Sequence, residues 1–496
     1  FLLMTSQFDT FDVALCEKVL GPLTAGEQFD WTVLFEAVRM GNLFSVPLDH
    51  EGRWMRYHNL FQHFLRSQLQ YEQSVLAWHI QQNLAHAYEE QHSWEDALQV
   101  YTRLGDYANQ VRVLTQTGAS FIASGRMLTL ANWLERLPHE VIYAHPALVS
   151  LLGILHTTRG DNPRALELLS LAESKLRNSG NAVEWMVTLV RRAEVRRQMG
   201  KFEEALQDVE EILNLSSDLD DKDMRYTFAE AQRVKGLSLV GLGHLRDAQG
   251  WLEKALHTSR SLGIAGNIPI LESELGVVHR RLGETEITQQ YYASALKALQ
   301  NAGNTGWKAR LLNNMGLLYH KTGRLDQAVV HLEESLKIAE RSGYTGIQTN
   351  VLISLGDLLT DMLDFDLAYD YYDRALTLAT QLGNSLFIFY SSLGQARLHR
   401  LNGDPVLAIE ELRHAEISQV SLGVYEKAIS SMELGCCYLE QGKLDPAVIA
   451  FRDAVALWSG EDASMERGVA QLWLAVASSN PSSEEFTSQV RKLVPP

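Results

Sequence analysis

Six arginines, Arg197, Arg233, Arg280, Arg310, Arg397 and Arg400, stand out in a 496-residue chain whose formal charge is −17. A guanidinium is a planar fork that grips carboxylate, phosphate or polar peptide groups, so several on one surface would make a binding site for an anionic or hydrogen-bonding ligand. The other chemistry-bearing residues form no constellation. His58 and His63 are five apart, which does not place them on one helical face as metal ligands would require, so core or hydrogen-bonding roles fit them better. Gly241-Leu242-Gly243 lacks the third glycine and the preceding strand of a dinucleotide fingerprint. Gly200-Lys201 runs into Phe202 and Gly442-Lys443 into Leu444, so neither is a P-loop. Cys436-Cys437 reads as a pair of small apolar residues on a helix. We expect no catalytic site, no metal and no cofactor in this chain.

Composition narrows the partners. With 44 Lys+Arg against 61 Asp+Glu, the chain is a poor match for nucleic acid or an anionic membrane. The three cysteines cannot build a disulfide framework, and a reducing cytoplasm suits them. No run of apolar residues is long enough to span a bilayer.

The elements that must position the arginines announce themselves through a forty-residue period. Small residues recur at Gly153, Ala193, Gly236, Gly276, Gly316, Gly356, Ala396, Gly435 and Ala475. Seven residues on come Gly160, Gly200, Gly243, Gly283, Gly323, Gly403 and Gly442, with Leu363 as the exception. Twelve residues on come Ala165, Ala205, Ala248, Ala328, Ala368, Ala408 and Ala447, with Thr288 substituting once. A third series, Gly263, Gly303, Gly343, Gly383 and Gly423, steps by forty throughout. Between them apolar residues keep helical spacing, as in Leu311, Met315, Leu318 and Tyr319. The first series should allow close helix approach. The second should stop the first helix of a pair in the left-handed conformation, and the third should stop the second helix. Such hairpins bury their apolar faces only by stacking, so about eight of them form an all-α solenoid. "LLNNMGLLYHKTGRLDQAVVHLEESLKIA" (311–339) resembles the tetratricopeptide repeat most clearly, with helices lengthened by about a turn beyond the usual repeat.

That resemblance implies a superhelix whose concave surface is lined by the first helix of each pair. The lining positions then hold Glu194 and Arg197; Glu230 and Arg233; Ser273 and Arg280; Arg310, Asn313 and His320; Asn350 and Asp357; and Tyr390, Arg397 and Arg400. Two readings of this wall stand side by side. Either the arginines receive a ligand, or they pair with Glu and Asp on adjacent helices. Trp185, Trp251, Trp307, Tyr371 and Tyr372 are expected as seam filler, mostly on second helices or loops.

Residues 1–75 differ in kind: two short helices, a strand at Leu43–Val46, a turn at 49–52, a strand from Trp54 to Tyr57, and a helix from Asn59. This is the order of a winged helix. "FLLMTS", "ALCEKVLG" and "GNLFSVPLDHEGRWMRYHNLFQHFLRSQL" closely resemble the winged-helix segment of MalT-like regulators, which belong to the STAND class of signal-transduction ATPases. The expected order is a winged-helix domain over 1–75, a helical arm over 76–145, the superhelical sensor over 146–480, and a capping helix and tail over 481–496. Five basic and nine acidic residues give the winged helix a balance of −4, the wrong sign for reading DNA. The resemblance implies a ligand-sensing, autoinhibitory region that holds an inducer (small molecule, peptide or protein) in the superhelix and regulates transcription. It also implies contact with the protein's own nucleotide-binding domain, self-association on activation, and ATP/ADP and Mg bound only by that other domain. The alternative is a scaffold or adaptor that holds a partner without switching.

Overall fold

The computed structural model describes residues 1–24, 29–41, 44–123, 126–158, 161–215, 222–300, 305–417, 422–459 and 464–478. Two units divide the chain, Phe1–Leu148 and Val149–Pro496.

The first unit starts with α1 (Leu2–Thr5), α2 (Val13–Leu20) and α3 (Trp31–Met40). Asp12 and Asp30 begin α2 and α3 by accepting the backbone N–H groups of Leu15 and Val33, which would otherwise be unpaired at a helix start. Strands β1 (Ser45–Pro47) and β2 (Met55–Tyr57) pair antiparallel, with Ser45 opposite Tyr57, and Phe11 bridges to Met55. The first strand therefore begins two residues later than the sequence suggests. Phe44 sits at φ +49 just before it, a conformation that cannot continue a ladder, while Leu43 lies outside the described residues. Helix α4 (Asn59–Glu72) follows β2. Phe8, Phe11, Leu15, Val19, Phe35, Met55 and Tyr57 form a buried centre, and the Tyr57 hydroxyl lies 2.7 Å from Thr5 Oγ1. The arm comprises α5 (Ser74–Glu90), α6 (Trp94–Leu104), α7 (Tyr107–Ala123), α8 (Met127–Glu135) and α9 (His139–Ala144). Ala85 and Ala97 are fully buried in it, and Pro138 separates α8 from α9.

Eight hairpins and a single helix make up the rest: α10 (Pro146–Thr158) with α11 (Asn162–Leu176), α12 (Ala182–Gln198) with α13 (Phe202–Leu213), α14 (Lys222–Leu242) with α15 (Leu245–Ser261), α16 (Ile268–Arg281) with α17 (Thr285–Gln300), α18 (Thr305–Lys321) with α19 (Leu325–Ser342), α20 (Thr345–Asp361) with α21 (Phe365–Gln381), α22 (Ser385–Leu401) with α23 (Pro405–Ile417), α24 (Val424–Glu440) with α25 (Leu444–Leu457), and α26 (Ser464–Ser478). The capping helix expected from Ser482 falls outside the described residues.

The small residues act by a fixed geometry. A Cβ on Gly153, Gly236, Gly276, Gly316, Gly356 or Gly435 would strike Leu169, Leu252, Tyr292, Leu332, Tyr372 or Phe451, in each case the side chain sixteen positions later on the second helix. The hairpin thus closes by seating a large side chain where its partner has none. Fully burying each such Leu or Phe contributes roughly 1.5–3 kcal/mol. The turn glycines behave as expected: Gly200, Gly243, Gly283, Gly323, Gly403 and Gly442 have φ between +71° and +85°. Leu363 is forced into the same region at φ +63. In the third series Gly263, Gly343 and Gly383 are left-handed too, but Gly423 is not. It is extended (φ −66, ψ 171) and starts α24, so the expectation that it ends a second helix is wrong. Gly160 and Gly303 lie outside the described residues.

Candidate functional site

The coil of the second unit curves until α14 and α24, both first helices of their hairpins, meet. First helices therefore face inward, and the polar residues they carry form the inner wall. The charges on that wall are stitched helix to helix. Arg233 Nη1 donates to Glu274 Oε1 at 2.8 Å, from α14 to α16, and its Nε pairs with Glu230 at 3.0 Å. Arg197 pairs with Glu194 of its own helix at 2.7 Å. Further along, Asp361 of α20 receives both His320 Nε2 of α18 at 2.8 Å and Arg397 Nη2 of α22 at 2.7 Å. Arg400 reaches Glu433 at 2.5 Å and Glu440 at 2.6 Å on α24, and the Tyr390 hydroxyl donates to Glu426 at 2.8 Å. Asp357 accepts the Tyr372 hydroxyl at 2.6 Å. Asn350 accepts Ser354 Oγ on its backbone carbonyl.

The electrostatics follow from enclosure and pairing. Burial alone would raise the Glu194 carboxyl, but the Arg197 guanidinium overrides it and holds the group down at about 2. Glu274 moves the other way: burial outweighs Arg233 and raises it. Its second oxygen, Oε2, is buried without a hydrogen-bond partner. Burial also raises Asp357, while the hydrogen bond from His320 lowers Asp361. Arg191 of α12, whose Nη1 donates to Ser150 at 2.9 Å, is pushed down to about 10 by burial.

The structure brings most of the expected wall residues together and separates two from it in role. Asn313 is fully buried with both amide atoms unpartnered, so it lies inside the packing rather than on the wall. Arg280 has a buried Nε without a partner. For Arg233, Arg397 and Arg400 the alternative of pairing with adjacent helices holds, while Arg197 pairs within its own helix. Among the described residues neither Arg280 nor Arg310 has an ion-pair partner, and the exposed one of the two is Arg310. Its side chain is exposed, its guanidinium lies over the Trp307 ring at 4.7 Å, and no carboxylate is within ion-pair distance among the described residues. Water reaches it, yet the protein mass around it desolvates the guanidinium and lowers its pKa. Trp251, Tyr371 and Tyr372 lie on the second helices α15 and α21, with Tyr372 fully buried in the core, whereas Trp185 and Trp307 sit on the first helices α12 and α18.

The sequence reading missed the acceptors: Glu274, Asp361, Glu433, Glu440 and Glu426. Their signal was present as opposite charges roughly one repeat apart on successive first helices, as at Arg233 and Glu274 or Arg400 and Glu440. Among the described residues no group of three or more His, Cys, Asp or Glu could hold a metal ion, and no helix is long and apolar enough to cross a membrane.

Comparison with known proteins agrees with this architecture. Residues 1–77 match the model of the MalT winged helix domain, and residues 267–341 match a tetratricopeptide repeat model. The chain is 28% identical over 175 residues to the HTH-type transcriptional regulator MalT of Vibrio parahaemolyticus, covering 35% of this chain and 19% of that protein. To the MalT of Vibrio cholerae it is 27% identical over 268 residues, covering 52% of this chain and 28% of that one. The matched stretch therefore spans well under a third of either relative's length. In fold it is similar to a STAND protein with a tetratricopeptide repeat sensor from Pyrococcus horikoshii (TM-score 0.55, 14% identity, 84% of this chain and 62% of that one). It is also similar in fold to a Rap protein complexed with competence and sporulation factor (TM-score 0.56, 14% identity, 72% and 98%). The chain thus carries a MalT-type winged helix over residues 1–77 and, after it, hairpins of the tetratricopeptide kind.

Proposed function

We propose that the inner wall of the superhelix is the ligand-sensing surface of a MalT-like transcription regulator, with Arg310 as the group that engages the ligand's anionic or hydrogen-bonding part. The supporting observation is Arg310 itself. On a wall where Arg197, Arg233, Arg397 and Arg400 are each held by a carboxylate, one exposed guanidinium is set over Trp307 with no ion-pair partner among the described residues. A guanidinium already positioned in this way loses little freedom on binding.

The ligand acts by favouring one arrangement of the winged helix and arm over another, which requires different affinities for the two. No catalysis is assigned to these residues. Nucleotide chemistry belongs to another part of the parent protein, and the acidic winged helix serves protein contacts rather than DNA. A cytoplasmic site of action goes with this reading.

Hydrogen exchange of the chain against fractionated metabolite and peptide pools tests it. A sensor shows protection in α14–α22 together with changed exchange in residues 1–75, and Arg310→Gln abolishes both. Protection confined to the wall identifies a static adaptor and overturns the sensing reading.

A further inference from the structure

The place where the coil meets itself is built from unusual parts. Gly423, the described member of its series that does not end a helix, stands where a Cβ would lie 2.5 Å from Glu426 Oε2 of its own helix and, across the seam, 3.3 Å from the Phe202 ring and 3.5 Å from the Gly241 carbonyl oxygen. Phe202 begins α13 and Gly241 lies near the end of α14, whereas Gly423 caps α24. Next to it, the Arg281 guanidinium stacks over the Tyr425 ring at 4.6 Å while its Nη1 donates to the Val240 carbonyl at 3.0 Å. Arg281 therefore ties the ends of α16 and α14 to the first turn of α24. That turn is held on its other side by the bond from Tyr390 to Glu426. Gly423 is thus a contact residue in a pattern of stop residues.

We propose that this seam is a gate to the inner wall: it opens to admit a ligand and closes behind it. The inference rests on the ligand-sensing reading and names how that site is controlled. The physical basis is an imbalance of strengths. Neighbouring hairpins are joined by continuous apolar cores, such as Leu245, Leu252, Leu271, Leu275 and Val278. Among the described residues the seam relies on the Phe202 ring against two glycine backbones, one cation–π contact and the Arg281 hydrogen bond to Val240. Thermal opening of the coil therefore takes place at the seam before it takes place between hairpins. Arg310 stays open to solvent with the seam made, so what closure limits is the entry of bulky solutes to the wall. A ligand that touches helices on both sides of the seam binds the closed form better and shifts the population toward it.

Two measurements on the full chain, neither needing a ligand, test the gate. First, Tyr425→Ala should raise hydrogen exchange about tenfold in residues 238–243, across the seam, because it removes the cation–π contact and exposes that edge. Gly423→Val, which wedges the contact apart, should do the same. Changes confined to the repeat that carries the substitution overturn the proposal. Second, Arg310→Cys is made in a Cys436→Ser background and treated with N-ethylmaleimide or with a maleimide carrying a bulky polymer. The small reagent should react at similar rates with or without Tyr425→Ala. The bulky one should be at least about tenfold slower with the seam intact, and the gap should close when Tyr425 is replaced. Equal access for the bulky reagent in both backgrounds overturns the gate. The two readings separate cleanly. A seam that gates access while Arg310→Gln leaves every ligand response intact supports the gate and removes the sensing role of Arg310. A ligand response that depends on Arg310 with ungated access does the reverse.

Discussion

Glycine-to-alanine changes in two helices of the repeats should move stability in opposite directions. Gly356 of α20 adjoins Asp357, and a Cβ there would stand 2.6 Å from Tyr372 Cε1 and 2.8 Å from Cδ1 and Cζ. Tyr372 cannot retreat: it is fully buried, it also abuts Gly394 of the next hairpin, and its hydroxyl is bonded to Asp357. Alanine gains about 1 kcal/mol in helix propensity over glycine. Against that stand overpacking at about 1–3 kcal/mol and the strained or lost hydrogen bond to a charged group at about 1.5–3 kcal/mol. The balance is a loss of about 2–4 kcal/mol for Gly356→Ala. Gly250 lies within α15 with nothing within 4 Å of its would-be Cβ, so Gly250→Ala keeps only the propensity gain, about 0.5–1 kcal/mol. Urea melts followed by far-UV circular dichroism, with exchange of α20–α22 peptides as the local readout, measure both. A Gly356→Ala protein as stable as the parent, or a Gly250→Ala protein with an equal loss, would refute the idea that hairpins close by seating a ring against bare backbone.

Other expectations follow from single sites. Leu363→Gly should stabilise by about 0.5–1 kcal/mol in the same melts, because a left-handed leucine costs roughly 1–2 kcal/mol and this one is largely exposed. Arg400→Met should destabilise by about 2–3 kcal/mol, since it strands Glu433, which is as buried as Arg400 itself, whereas Arg310→Met should leave the urea midpoint nearly unchanged. Glu194, held at about 2 against an ordinary 4.5, contributes stability that is present above pH 4.5 and lost as pH falls toward 2. Glu194→Gln should therefore flatten the acid limb of a stability-against-pH curve, and an unchanged limb would show that Arg197 does not hold this carboxylate. Asp357 is shifted upward by burial, so its ionised form opposes folding. Asp357→Asn should then be better tolerated at pH 7 than Tyr372→Phe, which leaves that carboxylate without its donor.

Much of this architecture was readable because a solenoid repeats its physics. Helix approach demands a missing side chain, and a tight stop demands a left-handed residue, so Gly276, Gly316 and Gly356 or Gly283 and Gly323 report their geometry wherever they recur. The same logic located the hairpins, while the winged helix was read from its strand–turn–strand order and the lining helices from the resemblance to tetratricopeptide repeats. It failed where a residue answers to a partner distant in sequence. Gly423 keeps the forty-residue step yet meets Phe202 and Gly241, neighbours that no local pattern contains. Asn313 falls at a wall position by count, but the packing of α18 takes it inside. The arginines were visible as a set. Which of them stay unpaired depended on Glu274, Asp361 and Glu433, acidic residues that look like ordinary solvated charge until adjacent helices are brought together.

An array in which each hairpin senses only its immediate neighbours comes apart piecemeal, like a zipper from its ends. The contact of Gly423 and Tyr425 with Phe202, Gly241 and Arg281 changes that topology by joining early members of the row to a late one, as a clasp joins the ends of a bracelet. While the clasp holds, the members between those points are kept from fraying; once it lets go, which the weakness of the seam makes the first event, they melt as a linear stack does. Deleting hairpins from the far end should then weaken members that lie well away from the cut.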